Sequence, residues 1–403
     1  MARPRIVQPR RDSVPESERD FSLVMGGPLY QLYLRSGLAR PALELLVRRM
    51  VSVSLLCWLP LLILAATARH LVGGVQVPFL LDPDVHARFL LALPLLIASE
   101  VYIDARLRII VPQFLSRGII APEDKARFAE IVASAMRMRN SVLAEVVLLA
   151  LVLSLGYSVW QQGFTLTAST WYRIGDARGS HLTAAGWYYA TVSLAIFRFI
   201  LIRWYYRLSI WYRFLWQVKG LPLHFNLYHP DRSGGLGFLA GSVDAFAPVF
   251  VAQTILVAGT IFTRIFYDGA RLQGFKTEVA EVVLFAVLLV VFPLGFFAIK
   301  LERASRLAKF EFGGLASHYV DDFRRKWVEQ EGRTGEPLLG TPDLQSLADL
   351  GNSYVTIIRM RLVPVNRENL VRLMVLIILP LLPLVLTVFS LEEVVQRLFK
   401  LAF

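Results

Sequence analysis

The amino-acid sequence predicts an all-α fold, a polytopic helical membrane protein with about seven transmembrane helices and further amphipathic helices lying in the interface. Three observations lead there. The chain of 403 residues is 55% apolar and only 18% charged, where a soluble domain carries roughly one quarter charged residues. Its mean hydropathy is +0.52. The apolar residues also fall in blocks of roughly 20, the helical length that crosses a hydrocarbon core.

The net charge of +12 does not point to nucleic acid, because the basic residues flank the apolar blocks instead of forming one stripe. The expected partner is the lipid bilayer. The one cysteine, Cys57, sits inside an apolar block, which excludes an intrachain disulfide and a cysteine metal site. The first block begins near Val51, too far from Met1 for a signal peptide.

Taken in order, residues 1–27 are basic and polar and are predicted to be a disordered tail. The membrane domain then covers 28–299. It opens with an amphipathic helix or helix pair whose arginines face lipid headgroups, and continues with spans at 51–68, 89–105, 141–161, 187–206, 244–266 and 279–299. A helix is expected from Pro122 to Arg139, with proline at its first position, acids in its first turn and arginines in its last. Trp204, Tyr205, Tyr206, Trp211 and Tyr212 read as an interfacial aromatic belt. Ser242 is a plausible N-cap of the fifth span. Residues 300–369 form the one sizeable cytoplasmic helical segment, in which Phe312, Leu315, Ala316, Tyr319, Phe323 and Trp327 share a helical face. Residues 370–403 hold a last span, kinked by Pro380 and Pro383, and then a short amphipathic helix opened by the capping box Ser390 and Glu393.

Charge sets the expected orientation. With Arg203 and Arg264, near the ends of their spans, counted with the adjacent sides, 33 of the 43 Lys and Arg fall on the side of the N-terminus and nine on the other, and Arg198 is left deep in a span. The positive-inside rule then places the N-terminus in the cytoplasm.

Two sets of residues invite a functional reading. Intramembrane Glu100, Glu145, Arg198 and Gln253 are costly in lipid and therefore functional candidates. Glu100 and Arg198 each lie 11 residues after the start of their spans, roughly 16 Å deep by helical rise, and are expected to pair. Arg203, Arg207 and Arg213 are expected to snorkel to the surface. The second set is the stretch LPLHFNLYHPDRSGGLGFLAG between the fourth and fifth spans, in which His224, Asn226, His229, Asp231, Gly234, Gly235 and Gly237 form a candidate ligand site. Its glycines can make an anion-binding nest, and His224, His229 and Asp231 are weak candidates for a metal. No Walker lysine follows the glycines, so it is not a P-loop. The His-Pro-Asp tripeptide resembles the J-domain chaperone loop but lacks the flanking soluble helix pair. The simpler alternative is a glycine-rich turn packed on 300–369. Asp82, Asp84 and His86, at a spacing of two, could hold a metal in an extended segment, although a solvated loop is the plainer reading.

The phrases YRFLWQV, HPDRSGGLGFL and LQSLADLGNSYVTIIRMRLVPV resemble recurring motifs of a family of bacterial integral membrane proteins labelled hypothetical. That resemblance covers the chain from the fourth span onward. It implies a bacterial inner-membrane location and no mechanism. The first functional expectation is an oligomeric channel or transporter. The alternative is a membrane scaffold or regulatory subunit that binds a cytoplasmic protein partner through its basic face. A lipid-acting enzyme ranks below both, because serine and cysteine nucleophile motifs are absent, no catalytic residue can be assigned, and no cofactor is required.

Overall fold

The computed structural model describes residues 21–38, 40, 43–161, 169–176, 179–329 and 340–387. The disordered tail expected over 1–27 is corrected at 21–27, where Phe21, Leu23 and Val24 are buried in the core, because their apolar side chains pack against the bundle. Residues 1–20 and the amphipathic helix expected after 390 lie outside the described residues. Among the described residues the fold is all-α apart from one antiparallel hairpin, β1 (Arg173–Asp176) paired with β2 (Gly179–Leu182).

The helices follow the apolar blocks. Helix α1 is Pro28–Arg35, with proline in its first turn, and α2 is Leu46–Thr67. Helix α3 runs over 83–110 in three pieces, Pro83–His86, a π-helical turn Ala87–Ala92 and Leu93–Ile110. Helix α4 is Lys125–Arg139, entered through a 3₁₀ turn at Pro122–Asp124, and α5 is Val142–Gln161. Helix α6, Ala184–Lys219, contains a second π-helical turn at Tyr189–Ser193. Helix α7 is Ala240–Asp268. Helix α8 (Lys276–Val291) passes through a 3₁₀ stretch, Phe292–Phe297, into α9 (Ala298–Arg324), which stays helical through Gly313-Gly314. Helix α10 is Pro342–Ile358. Helix α11, Arg367–Ile378, tightens into a 3₁₀ stretch over Leu379–Thr387 where Pro380 and Pro383 remove α-helical hydrogen-bond donors.

Among the described residues, five helical runs are long and apolar enough to cross a membrane, namely Leu46–Thr67, Ala184–Lys219, Leu236–Asp268, Leu272–Glu329 and Arg367–Thr387. The two other expected spans differ for separate reasons. Helix α3 has the length but carries charges along it, and it buries Glu100 and Asp104 inside the bundle. Helix α5 has a shorter apolar stretch among the described residues, Val142–Ser154. Leu143, Val146, Val147 and Leu153 are exposed on α5, as Leu55, Leu56 and Ile63 are on α2, which is the surface hydrocarbon solvates.

Helix α7 is the hub, packing against α3, α8, α11 and the π-helical turn of α3. Gly259 permits that approach, since a Cβ there would come within 2.8 Å of Ala87 Cβ and 3.2 Å of Asp84 Cα. The core is built of aromatics. Phe114, Phe128, Phe214 and Phe238 form one cluster, and Phe21 from the N-terminal segment meets Phe214 at 5.1 Å and Trp211 at 6.3 Å.

Two further expectations are corrected here. Trp204 and Trp211 are buried rather than placed in a belt, and the Trp204 indole N–H donates to Leu96 O at 3.0 Å. With its polar edge paired inside the bundle, that ring has no need of the interface. Ser242 is not an N-cap, because a 3₁₀ turn at Leu236–Leu239 starts the helix earlier and the Ser242 hydroxyl donates to Leu239 O from within it.

Candidate functional site

The unusual residues fall into three places. At the end of the bundle near the N-terminus, carboxylates and guanidinium groups meet in the interior. Glu100 Oε1 lies 2.9 Å from Arg207 Nη1 and 3.5 Å from Arg203 Nη1, and Oε2 lies 3.2 Å from Arg49 Nη2. Arg203 continues to Glu145 at 3.0 Å. All five side chains are buried. Arg49, wholly buried, rests its guanidinium on the Tyr33 ring, 5.3 Å from the centroid, and Arg207 lies over Trp204 at 4.6 Å.

The irregular segment at 21–27 completes this end. The Ser22 hydroxyl donates to Asp104 and the Gly27 N–H donates to Asn140 Oδ1 at 3.1 Å. The Leu29 N–H donates to Glu145 Oε2 at 2.9 Å, and Arg139 Nη1 donates to Ser22 O at 2.8 Å. A side chain at Gly27 would collide with Arg139 O and Glu145, so the segment lies hard against α5.

The expected Glu100–Arg198 pair does not form. Equal depth ignored rotation. Five residues separate Arg198 from Arg203, about 140° around a helix at 100° per residue, whereas Arg203 and Arg207 share a face. Arg203 and Arg207 therefore turn inward to Glu100 and do not snorkel. Gln253 is elsewhere as well, its Oε1 accepting the Tyr205 hydroxyl at 2.6 Å and joining α6 to α7.

The second place is a cavity of about 200 Å³ at the opposite end, lined by Asp82, Asp84, Arg88, Tyr172, Tyr189, Leu194, Arg198, Thr260, Thr263 and Arg264. Both π-helical turns supply its walls, through Arg88 and Tyr189. Such turns recur at functional sites because they re-aim side chains. Asp84 is bound twice by Arg88 Nη2, at 3.0 and 2.7 Å, and accepts the Thr260 hydroxyl at 2.9 Å. Asp82 accepts the Trp171 indole N–H at 2.9 Å and the Asp84 N–H at 3.1 Å. Burial, and after it the charge of Asp84, pushes the Asp82 carboxyl up to about 6 against the pull of those hydrogen bonds. So the 82–86 segment is neither a solvated loop nor a metal site. His86 faces away, accepting the Trp58 indole N–H at 3.0 Å.

The third place is the central stretch. Asp231 Oδ1 accepts the N–H groups of Ser233 (2.8 Å) and Gly235 (3.2 Å), and Oδ2 accepts that of Gly237 (2.8 Å). The carboxylate occupies the nest itself. Gly234 and Gly235 have φ of 65° and 91°, and a Cβ on Gly237 would strike Asp231 at 2.8 Å, so the glycines serve this turn. His229 Nδ1 lies 3.1 Å from Asp231, while the His224 N–H bonds back to Ile119 O and its side chain is exposed. Asn226 caps the same turn, its Oδ1 accepting the Tyr228 N–H. Leu227 packs on Ala308, Phe312 and Ile357, and the Arg361 N–H donates to Arg232 O at 2.6 Å, so the stretch docks on α9 and the segment after α10. The metal candidates His224, His229 and Asp231 do not converge, and no group of three His, Cys, Asp or Glu among the described residues is placed to hold a metal.

Comparison with family models, with curated proteins and with solved structures finds no match. The site must speak through its own chemistry.

Removing the charge of Glu100 leaves the buried Arg49 and Arg207 without a counter-charge, while Arg203 keeps Glu145, a change expected to cost about 3–5 kcal/mol. Glu100→Gln should therefore melt well below wild type, and Glu100→Gln with Arg207→Gln should recover part of the loss. Additive effects of the two changes in thermal unfolding would contradict the shared carboxylate. Asp82 gives a pH signature. Its folded pKa lies above the unfolded value, so the folded state holds an extra proton between about pH 4 and 6, and stability falls as pH rises through that window. Wild type should lose on the order of 2 kcal/mol relative to Asp82→Asn between pH 4 and pH 7. Parallel pH profiles of the two proteins would refute it.

Proposed function

We propose that this integral membrane protein is a transporter for a small solute, entered from the face away from its N-terminus. The observation that supports it is the pairing of a polar cavity at one end with an ion-paired seal at the other, on the same two helices. Helix α3 carries Arg88 at the cavity and Glu100 at the seal, and α6 carries Arg198 and Arg203. Along α6 these last two are separated by only about 7.5 Å of rise. Leu93, Leu96 and Ile97, between Arg88 and Glu100 on α3, and Ile200, between Arg198 and Arg203 on α6, are buried apolar residues. A channel would require a continuous wet path, and this layer argues for the carrier in preference. The basic residues concentrated on the N-terminal side support a cytoplasmic N-terminus, so the cavity opens outward in a bacterial inner membrane.

A second reading has its own observation. Helix α9 exposes Leu307, Phe310 and Leu315 beyond Lys300, Phe310 being 81% exposed, so the α9–α10 hairpin offers an apolar surface to a protein partner.

Purified protein in liposomes decides for transport. A saturable uptake of radiolabelled phosphate, sulfate or succinate is expected, abolished by Arg198→Gln. Liposomes that hold folded protein and take up none of these solutes above protein-free controls would overturn the proposal.

A further inference from the structure

The hydrogen-bonding groups left over in the cavity are almost all donors. Asp84 is neutralised by Arg88 and Thr260, and the Thr263 hydroxyl is committed to Gly259 O at 3.0 Å. Arg198 and Arg264 line the same space and have no ion pair or hydrogen bond among the described residues. Tyr189 is 5% exposed and lines the cavity, yet its hydroxyl has no hydrogen-bond partner among those residues either. Arg88 Nε is buried with no acceptor. Buried donors without acceptors are costly, and half-buried guanidinium groups without counter-charges attract an anion. The space therefore asks for a ligand rich in oxygen acceptors and negative charge.

We propose that the cavity binds a small dianionic oxyanion, held between the guanidinium groups of Arg198 and Arg264 and the hydroxyl of Tyr189. Two free guanidinium groups balance two charges, and their forked donors match the oxygens of a phosphate, sulfate or dicarboxylate. A phosphate group fits equally as a free ion or as the headgroup of a lipid, because the chemistry that recognises it is the same. Asp82 opposes an anion least when its carboxyl is neutral, the form its burial favours. The inference rests on reading the cavity as a solute site, as in the proposed function, and does not depend on transport.

The test is calorimetry on the purified full-length protein in detergent at fixed ionic strength. The titrants are inorganic phosphate, sulfate, succinate and dihexanoyl phosphatidic acid, with chloride and choline as controls. At least one dianion should bind saturably where chloride and choline do not. Preference for the phosphatidic acid over all free ions would mark a headgroup as the source, and the reverse a free solute. Arg198→Gln and Arg264→Gln should each weaken binding on the order of tenfold or more, and Tyr189→Phe by less. Arg213→Gln, an exposed arginine at the other end of α6, should change nothing. If Arg198→Gln does not fold, Arg198→Lys retains the charge and should bind weakly, while Arg264→Gln tests the partner independently. Absence of any dianion binding beyond chloride would overturn the proposal, as would full affinity in Arg198→Gln with Arg264→Gln. A dianion that binds without being moved in liposomes would remove the transport reading and leave this one standing.

Discussion

One carboxylate, that of Glu100, holds the interior of this bundle in register. It lies within 3.5 Å of three guanidinium groups brought from α2 and α6, and Arg203 passes the connection to Glu145 on α5. In hydrocarbon an isolated charge is expensive, so each of these side chains can be where it is only because the others are there. That mutual dependence dictates which faces of α2, α3, α5 and α6 turn inward. It also explains the segment 21–29, whose Gly27 and Leu29 N–H groups find acceptors in Asn140 and Glu145 and whose Ser22 hydroxyl finds one in Asp104.

The helices that meet at the Glu100 cluster, α3 and α6, also supply walls of the cavity. The π-helical turns in α3 and α6 lie on the cavity side of the apolar layer, where each changes the angular position of the residues beyond it. A shift of α6 that breaks the Arg203 contacts would also move Arg198, five residues away. On the proposed reading, α6 links the Glu100 cluster to the shape of the cavity. A carrier needs such a link between its ligand and its far gate.

Fold class was legible because hydropathy blocks report directly on the solvent that surrounds each helix. Helix α10 starts at Pro342, where proline fits the first turn. The charged residues were legible as a set and misread as pairs. Depth along a helix can be counted from the sequence, but azimuth cannot be fixed without knowing the neighbours, so Arg198 was matched to Glu100 in place of Arg203 and Arg207. The i, i+4 spacing of those two arginines was the signal available. Arg49 was placed among headgroup-facing arginines because nothing local shows that Tyr33 would fold over it. The Asp231 turn was overvalued because histidine, aspartate and glycine in one short stretch serve ligand binding and backbone satisfaction equally well. The cavity went unseen because its walls come from four separate segments that only tertiary packing unites.

The central claim is that the cavity is reached from one side of the membrane and closed from the other by the Glu100 cluster. Side-specific labelling of single cysteines, in Cys57→Ser protein reconstituted in one orientation, tests it most directly. A cysteine at Thr260 should react with a membrane-impermeant thiol reagent applied to the side away from the N-terminus and be silent to the same reagent from the N-terminal side. Equal labelling of Thr260→Cys from both sides, or labelling only from the N-terminal side, would contradict the account.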